Sequence, residues 1–135
     1  MKIGFAEDKD YDYLMENDRH ATPEMIRRRF EQNEIIVIRD DERPLGWLRY
    51  GYFWDAIPFM YMLYVEEEYR RKGLGTNLVE FWENEMRRKK HDKVMTSSMS
   101  HEQGQYFYRK LGYKDCGALL LPDEPLEIIF LKLLK

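Results

Sequence analysis

Residues 65–76, Val-Glu-Glu-Glu-Tyr-Arg-Arg-Lys-Gly-Leu-Gly-Thr, set three cations beside two spaced glycines. Glycine admits backbone angles that let consecutive N–H groups converge on one anion, and a helix starting near Gly73 turns the positive end of its dipole to the same point. Arg70, Arg71 and Lys72 supply mobile counter-charge. The chemistry this suits is the grip of a diphosphate. The stretch lacks the Gly-Lys-Ser/Thr ending of a P-loop and the full Gly-x-Gly-x-x-Gly dinucleotide pattern, which argues against nucleotide hydrolysis and hydride transfer.

The flanking elements must hold that turn in place. Residues 59–65 read as a strand that is apolar on both faces, as in a sheet covered by helices. Leu74, Leu78, Phe81 and Trp82 form a helical stripe reaching about residue 90, with Asn77, Glu80, Glu83, Asn84, Arg87 and Arg88 mostly outside. Upstream, residues 2–6 predict a short strand. Asp10 is a plausible N-cap for a helix through Tyr13, Leu14 and Asn17, and Thr22-Pro23 starts a second helix carrying Met25, Ile26 and Phe30 inward. The β-branched run 35–38 is a buried strand. Residues 40–44 read as a polar turn into a hairpin partner over 45–53, and 54–58 as the next turn.

Downstream, residues 94–98 predict a short strand. Ser100-His101-Glu102-Gln103 has capping-box spacing for a helix that stops at Gly112. Two apolar strands, 115–121 and 126–133, are joined by a Pro-Asp-Glu-Pro turn. The expected fold class is α/β: a mixed, mostly antiparallel central sheet flanked by helices, with the glycine turn at the carboxyl end of a strand.

With 135 residues, 44% of them apolar and 35% charged, the chain is expected to be one domain spanning 1–135. A net charge of −3 and a pI near 5.7 argue against nucleic-acid or anionic-lipid partners. The basic runs 27–29 and 87–90 fall near predicted helix ends, where cations meet the dipole favourably. One cysteine, Cys116, leaves no intramolecular disulfide or cysteine-rich zinc site; it suits a cytoplasmic setting and reads as a core residue ahead of the apolar run 118–121. No export signal or membrane span is encoded, and no metal is expected.

Two motifs make the chain resemble the GCN5-related N-acetyltransferase (GNAT) family across nearly its whole length. Arg70-x-x-Gly73-x-Gly75, after a strand ending Leu63-Tyr64-Val65, is similar to the family's Arg/Gln-x-x-Gly-x-Gly/Ala acetyl-CoA signature. Phe107-Tyr108-Arg109-Lys110-Leu111-Gly112-Tyr113 resembles its later Tyr-x-x-Leu-Gly-Phe segment. The resemblance implies a GNAT-like acyl-CoA N-acyltransferase fold with a V-shaped gap where the strand ending at Val65 and the strand 94–98 splay apart. Acetyl-CoA, as acetyl donor, would lie in that gap. Its pantetheine arm would pair with the main chain of Leu63, Tyr64 and Val65 as an added strand does. Its diphosphate would rest among Arg70, Arg71, Lys72, Gly73, Leu74, Gly75 and Thr76. Further CoA contacts would come from His101, at a position often held by asparagine, and from Gly104.

The same resemblance puts Tyr108 where a phenol donates a proton, or a hydrogen bond, to the departing sulfur. It implies direct transfer of an acetyl group to a primary amine of a small molecule or peptide. An amine with a lysine-like pKa costs about 4–5 kcal/mol to neutralise at pH 7, so a base or water chain is needed. Here the chain departs from its relatives: residues 59–65 hold no carboxylate, and Thr96 stands where some members place a glutamate. Asp55, Glu66, Glu102, His101 and water remain candidates. Trp47, Tyr50, Tyr52, Phe53, Trp54, Phe59, Tyr61 and Tyr64 are mostly core, with some able to wall an acceptor pocket. The lack of an evident base keeps a non-catalytic acyl-CoA sensor or assembly subunit as the alternative. A monomer and a homodimer are equally compatible with the sequence.

Overall fold

Hydrophobic periodicity sets the element order. In the computed structural model, which describes residues 1–135, the chain runs β1 (Lys2–Phe5), α1 (Tyr11–Asn17), α2 (Pro23–Glu31), β2 (Ile35–Asp40), β3 (Arg43–Phe53), β4 (Ile57–Val65), α3 (Leu74–Arg88), β5 (Lys93–Met99), α4 (Gly104–Lys110), β6 (Lys114–Leu119) and β7 (Glu127–Leu133). Short 3-10 turns at Asp8–Asp10 and Glu67–Tyr69 precede α1 and α3. The strands form one mixed sheet in the order β1-β2-β3-β4-β5-β7-β6. Antiparallel pairing joins β1 to β2, β2 to β3, β5 to β7 and β6 to β7, whereas β4 and β5 run parallel, with Phe59 opposite Met95 and Met60 opposite Thr96. The α/β class and the succession of elements are those expected.

The chain forms two compact units. In the first, Met1–Gly51 with Met62–Trp82, β2 is buried on both faces, which is why its sequence is a continuous apolar run. Ile35 and Val37 join Leu14, Ile26 and Trp47 in a core against which Tyr13, Phe30 and Tyr64 pack. Ile36 and Ile38 face the other way by alternation, the side on which the Tyr50 and Trp82 rings approach to 5.7 Å. Thr22 caps α2 through the Met25 N–H. Asp10 does precede α1, but its carboxylate accepts from the Glu7 N–H at 2.8 Å and from Arg39. Asp18 likewise accepts two bonds from Arg49, at 2.6 and 3.2 Å. Both ends of α1 are thus fastened to the sheet by buried ion pairs. At Gly46 an added Cβ would lie 2.4 Å from the Tyr64 carbonyl oxygen, so β3 and β4 pass too close for any side chain.

The second unit, Tyr52–Tyr61 with Glu83–Lys135, holds the parallel β4–β5 contact, β7, β6 and α4. α4 ends as the sequence predicts. Gly112 adopts φ +95°, its N–H donates to the Arg109 carbonyl, and the Tyr113 N–H donates to the Tyr108 carbonyl, the paired bonds of a Schellman motif. Its start differs: the helix begins at Gly104, and Gln103 precedes it without a side-chain cap. Glu102 instead accepts from the Met99 N–H, closing the turn that leaves β5.

Four further expectations are corrected. The two hairpin turns are tighter than the sequence suggests, confined to Asp41–Glu42 and Trp54–Ala56, so Pro44 and Pro58 lie inside strands. β4 is half-buried over much of its length and exposes Tyr61, rather than being covered on both faces. Cys116 is exposed: β6 is the outermost strand, and its register with β7 slips between Asp115 and Gly117. Glu83, expected outside, is buried on α3.

Candidate active site

The first unit carries the glycine turn. After the 3-10 turn, Arg71 and Gly73 take φ of +64° and +83° while Lys72 between them does not, an alternation of hand that points successive N–H groups into one concavity. The Asn77 N–H donates to the Gly73 carbonyl, so Gly73 is the residue from which the 15-residue helix α3 departs. Helix geometry leaves the N–H groups of Leu74, Gly75 and Thr76 without partners in their own helix. With no side chain, Gly75 in the first turn leaves the backbone open to close approach. A left-handed non-glycine residue such as Arg71 carries a strain of about 1–2 kcal/mol. Together these form an electropositive main-chain cup.

The three cations of the turn differ in role. Arg70 donates from Nε to the Val65 carbonyl at 2.7 Å, and its guanidinium lies 5.2 Å from the centre of the Tyr64 ring, which locks the turn to the end of β4. Lys72 lies over Tyr69 at 5.6 Å, and both Arg71 and Lys72 are exposed. Leu63, Tyr64 and Val65 are half-buried at the end of β4. Glu66 follows them, half-buried, and accepts a 2.5 Å hydrogen bond from the Tyr13 hydroxyl. Burial, then this bond to Glu66, push the Tyr13 phenol far above the ordinary tyrosine range. Arg43 holds Glu68 at 2.7 Å.

The second unit carries Tyr108. Its ring is 9% exposed and sits in an aromatic nest, 5.9 Å from Tyr113, 6.0 Å from Phe130 and 5.3 Å from Phe107. Burial pushes its phenol up to about 12, partly opposed by a hydrogen bond with Thr96. Thr96 is fully buried and donates to the Met60 carbonyl at 3.0 Å, at the point where β4 and β5 pair. Gly104 lies against Tyr108 and Ser98: an added Cβ would stand 3.2 Å from Ser98 Oγ and 3.8 Å from Tyr108 Cε2. Gln105 ties the preceding loop by donating to the Ser100 and Glu102 carbonyls at 2.7 and 2.9 Å. His101 and Glu102 are exposed on that loop, and Asp55 is exposed in the β3–β4 turn with φ +58°.

Sequence reasoning did not single out Ser98, Tyr13 or Glu83. A serine on a strand and a tyrosine on a helix face carry no spacing signal. Glu83 stands between Trp82 and Asn84 and reads as one of the outward polar residues of α3.

The family model described as an acetyltransferase (GNAT) domain matches residues 31–115, well over half the chain. A search among curated proteins finds none with a matching sequence. Among solved structures, Ard1 from Thermoplasma volcanium superposes with a TM-score of 0.86 at 15% identity, covering 99% of this chain and 97% of that one. A ribosomal-protein-alanine N-acetyltransferase from Brucella melitensis gives 0.82 at 17% identity, with 99% and 100% covered. An aminoglycoside 6'-N-acetyltransferase complexed with coenzyme A gives 0.81 at 18% identity, with 100% and 98% covered. At such identities the likeness is one of fold.

Proposed function

The chain belongs to the GNAT acetyltransferase family, and from that premise we propose that it transfers the acetyl group of acetyl-CoA directly to a primary amine of a small molecule or peptide. The observation that carries this reading is the cup at Arg71–Gly73 and the start of α3, inside the matched region: left-handed backbone on either side of Lys72, free first-turn N–H groups and two exposed cations. That is what a diphosphate needs. In this reading Arg71, Lys72, Gly73, Leu74, Gly75 and Thr76 hold the diphosphate, with Arg70 bracing the turn from behind. The main chain of Leu63, Tyr64 and Val65 takes the pantetheine arm as an added strand, and His101 and Gly104 complete the contacts. Bound acetyl-CoA supplies an activated thioester whose sulfur leaves as a thiolate.

Tyr108 acts on that sulfur. With its phenol near 12 it is protonated throughout the physiological range and serves as a donor. Full transfer of its proton to a thiolate of pKa near 8.5 would be uphill by about 5 kcal/mol. The phenol therefore stabilises the departing charge by hydrogen bonding, and solvent supplies the final proton. On the acceptor side the ammonium must first lose a proton. We assign that role to Glu66, because Asp55, His101 and Glu102 are exposed whereas Glu66 is half-buried and held by Tyr13. Approach of the amine to the thioester then relies mainly on positioning.

Calorimetric titration with CoA, followed by thiol release from acetyl-CoA across a panel of primary amines, tests the reading. The expected result is saturable CoA binding and amine-dependent release that falls at least tenfold in Tyr108→Phe. Absence of CoA binding, or full turnover in the Phe variant, overturns it.

A further inference from the structure

Glu83 is a buried carboxylate on α3, where the sequence leads one to expect a polar residue facing outward. It is 3% exposed. Three groups converge on it: the Tyr113 hydroxyl donates to Oε2 at 2.8 Å, Lys132 Nζ approaches the two oxygens at 2.9 and 3.1 Å, and Arg87 stands at 4.0 Å. A buried carboxylate is costly unless paired and hydrogen-bonded, and here both conditions are met. An apolar residue at this position would satisfy packing with less risk, so the cluster calls for a reason beyond the core.

Tyr113 supplies one. The family segment that this chain resembles ends in Phe, and the additional hydroxyl at Tyr113 is the atom that Glu83 accepts from. Tyr113 is also the residue that closes α4: its N–H donates to the Tyr108 carbonyl at 3.0 Å, and its ring meets the Tyr108 ring edge-on at 5.9 Å and 64°. Lys132 Nζ lies 5.5 Å from the centre of the Tyr113 ring and belongs to the strand that also carries Phe130, another aromatic wall of Tyr108. A rigid chain of contacts thus runs from Glu83 through the Tyr113 hydroxyl and ring to both the backbone and the side chain of Tyr108.

We propose that Glu83 is a positioning residue which, through Tyr113, fixes the direction of the Tyr108 phenol. The inference rests on the reading of Tyr108 as the donor to the departing sulfur. The Tyr108 ring keeps its direction only as long as the rings packed around it keep theirs, and Tyr113 is one of these walls. Anchoring the neighbouring ring at its far end by a charge-assisted bond fixes that direction before substrate arrives. Lys132 keeps the carboxylate neutralised, so that the anchor is present without an unpaired charge beneath the site.

The test combines a double-mutant cycle with a spectroscopic readout. Glu83→Gln and Tyr113→Phe are made singly and each in a Tyr108→Phe background, and thiol release from acetyl-CoA is followed with the best amine of the panel and with water as acceptor. Each single variant is expected to lower kcat about three- to tenfold with KM for acetyl-CoA unchanged, and neither is expected to lower it further once Tyr108 is Phe. In parallel, 3-fluorotyrosine at position 108 is expected to give one sharp fluorine resonance that moves on addition of CoA. In Glu83→Gln and Tyr113→Phe that line is expected to broaden or split. Additive losses in the Tyr108→Phe background, or a fluorine spectrum unchanged by both variants, overturns the proposal. Full turnover of Tyr108→Phe alone would instead sink the donor role, and the fluorine arm would still report whether Glu83 orders the ring.

Discussion

Replacing Gly73 by Ala isolates the conformation of the cup from its packing. An added Cβ at this residue meets nothing within 4 Å, so the substitution carries no clash, and the whole cost comes from φ +83°. Holding an L-residue in that region costs about 1–2 kcal/mol. The chain has two responses. It can keep the left-handed turn and lose that amount of stability, or relax the turn to negative φ and lose the convergence of N–H groups. In the second case the same 1–2 kcal/mol appears in binding, as a fall of about 5- to 30-fold in CoA affinity. Gly73→Asn should fall between wild type and Ala, because asparagine tolerates the left-handed region better than alanine. Titration calorimetry with CoA and thermal melting of the three proteins, with and without CoA, measure both channels. Wild-type affinity and wild-type stability together in Gly73→Ala would refute the claim that this backbone angle builds the site.

Gly46→Ala should be severely destabilising, because its Cβ would lie 2.4 Å from the Tyr64 carbonyl and backbone must move to admit it; overpacking of this kind costs about 1–3 kcal/mol or more, read from the urea midpoint. Asp18→Ala leaves the buried Arg49 guanidinium without its bidentate partner and should cost about 3–5 kcal/mol, with the loss reduced when Arg49 is replaced by Met in the same chain. Alkaline stability carries a signature of Tyr108. Its phenol lies near 12 in the fold against an ordinary value of 10.0, so its contribution is fully present below pH 10 and is lost as pH rises through 12, up to about 3 kcal/mol. Denaturation between pH 10 and 12 should therefore be less steep in Tyr108→Phe than in the wild type, and equal slopes would contradict the buried placement of the phenol.

Much of the architecture was legible because it is local. The β-branched run at 35–38, Thr22-Pro23 before α2, the stripe from Leu74 to Trp82 and the glycine after α4 each specify their element through contacts within a few residues. Helix periodicity assigns a face, however, not what that face meets. Glu83 stands between Trp82 and Asn84 and reads as one of the outward polar residues of its helix; it is buried because Lys132, 49 residues on, and Tyr113, 30 residues on, come to it. Cys116 has the sequence of a core strand and is exposed because its strand is the last in the sheet, a fact that only strand order settles. Asp10 reads as a helix N-cap, and only the fold shows that it and Asp18 each meet an arginine on the sheet.

By itself the sequence determined the element order, the mixed sheet and the glycine turn after β4, together with a family resemblance on which the residue roles depend. Tertiary structure decided which polar side chains meet and how deeply each is covered: Arg70 against Val65 and Tyr64 at the surface, Tyr13 on a half-buried Glu66, and a buried Glu83 behind Tyr113. The physical reason is range. Backbone propensity and hydrophobic periodicity act over a few residues, whereas a buried hydrogen bond or ion pair is satisfied by whatever group the completed fold brings within about 3 Å, at any separation along the chain.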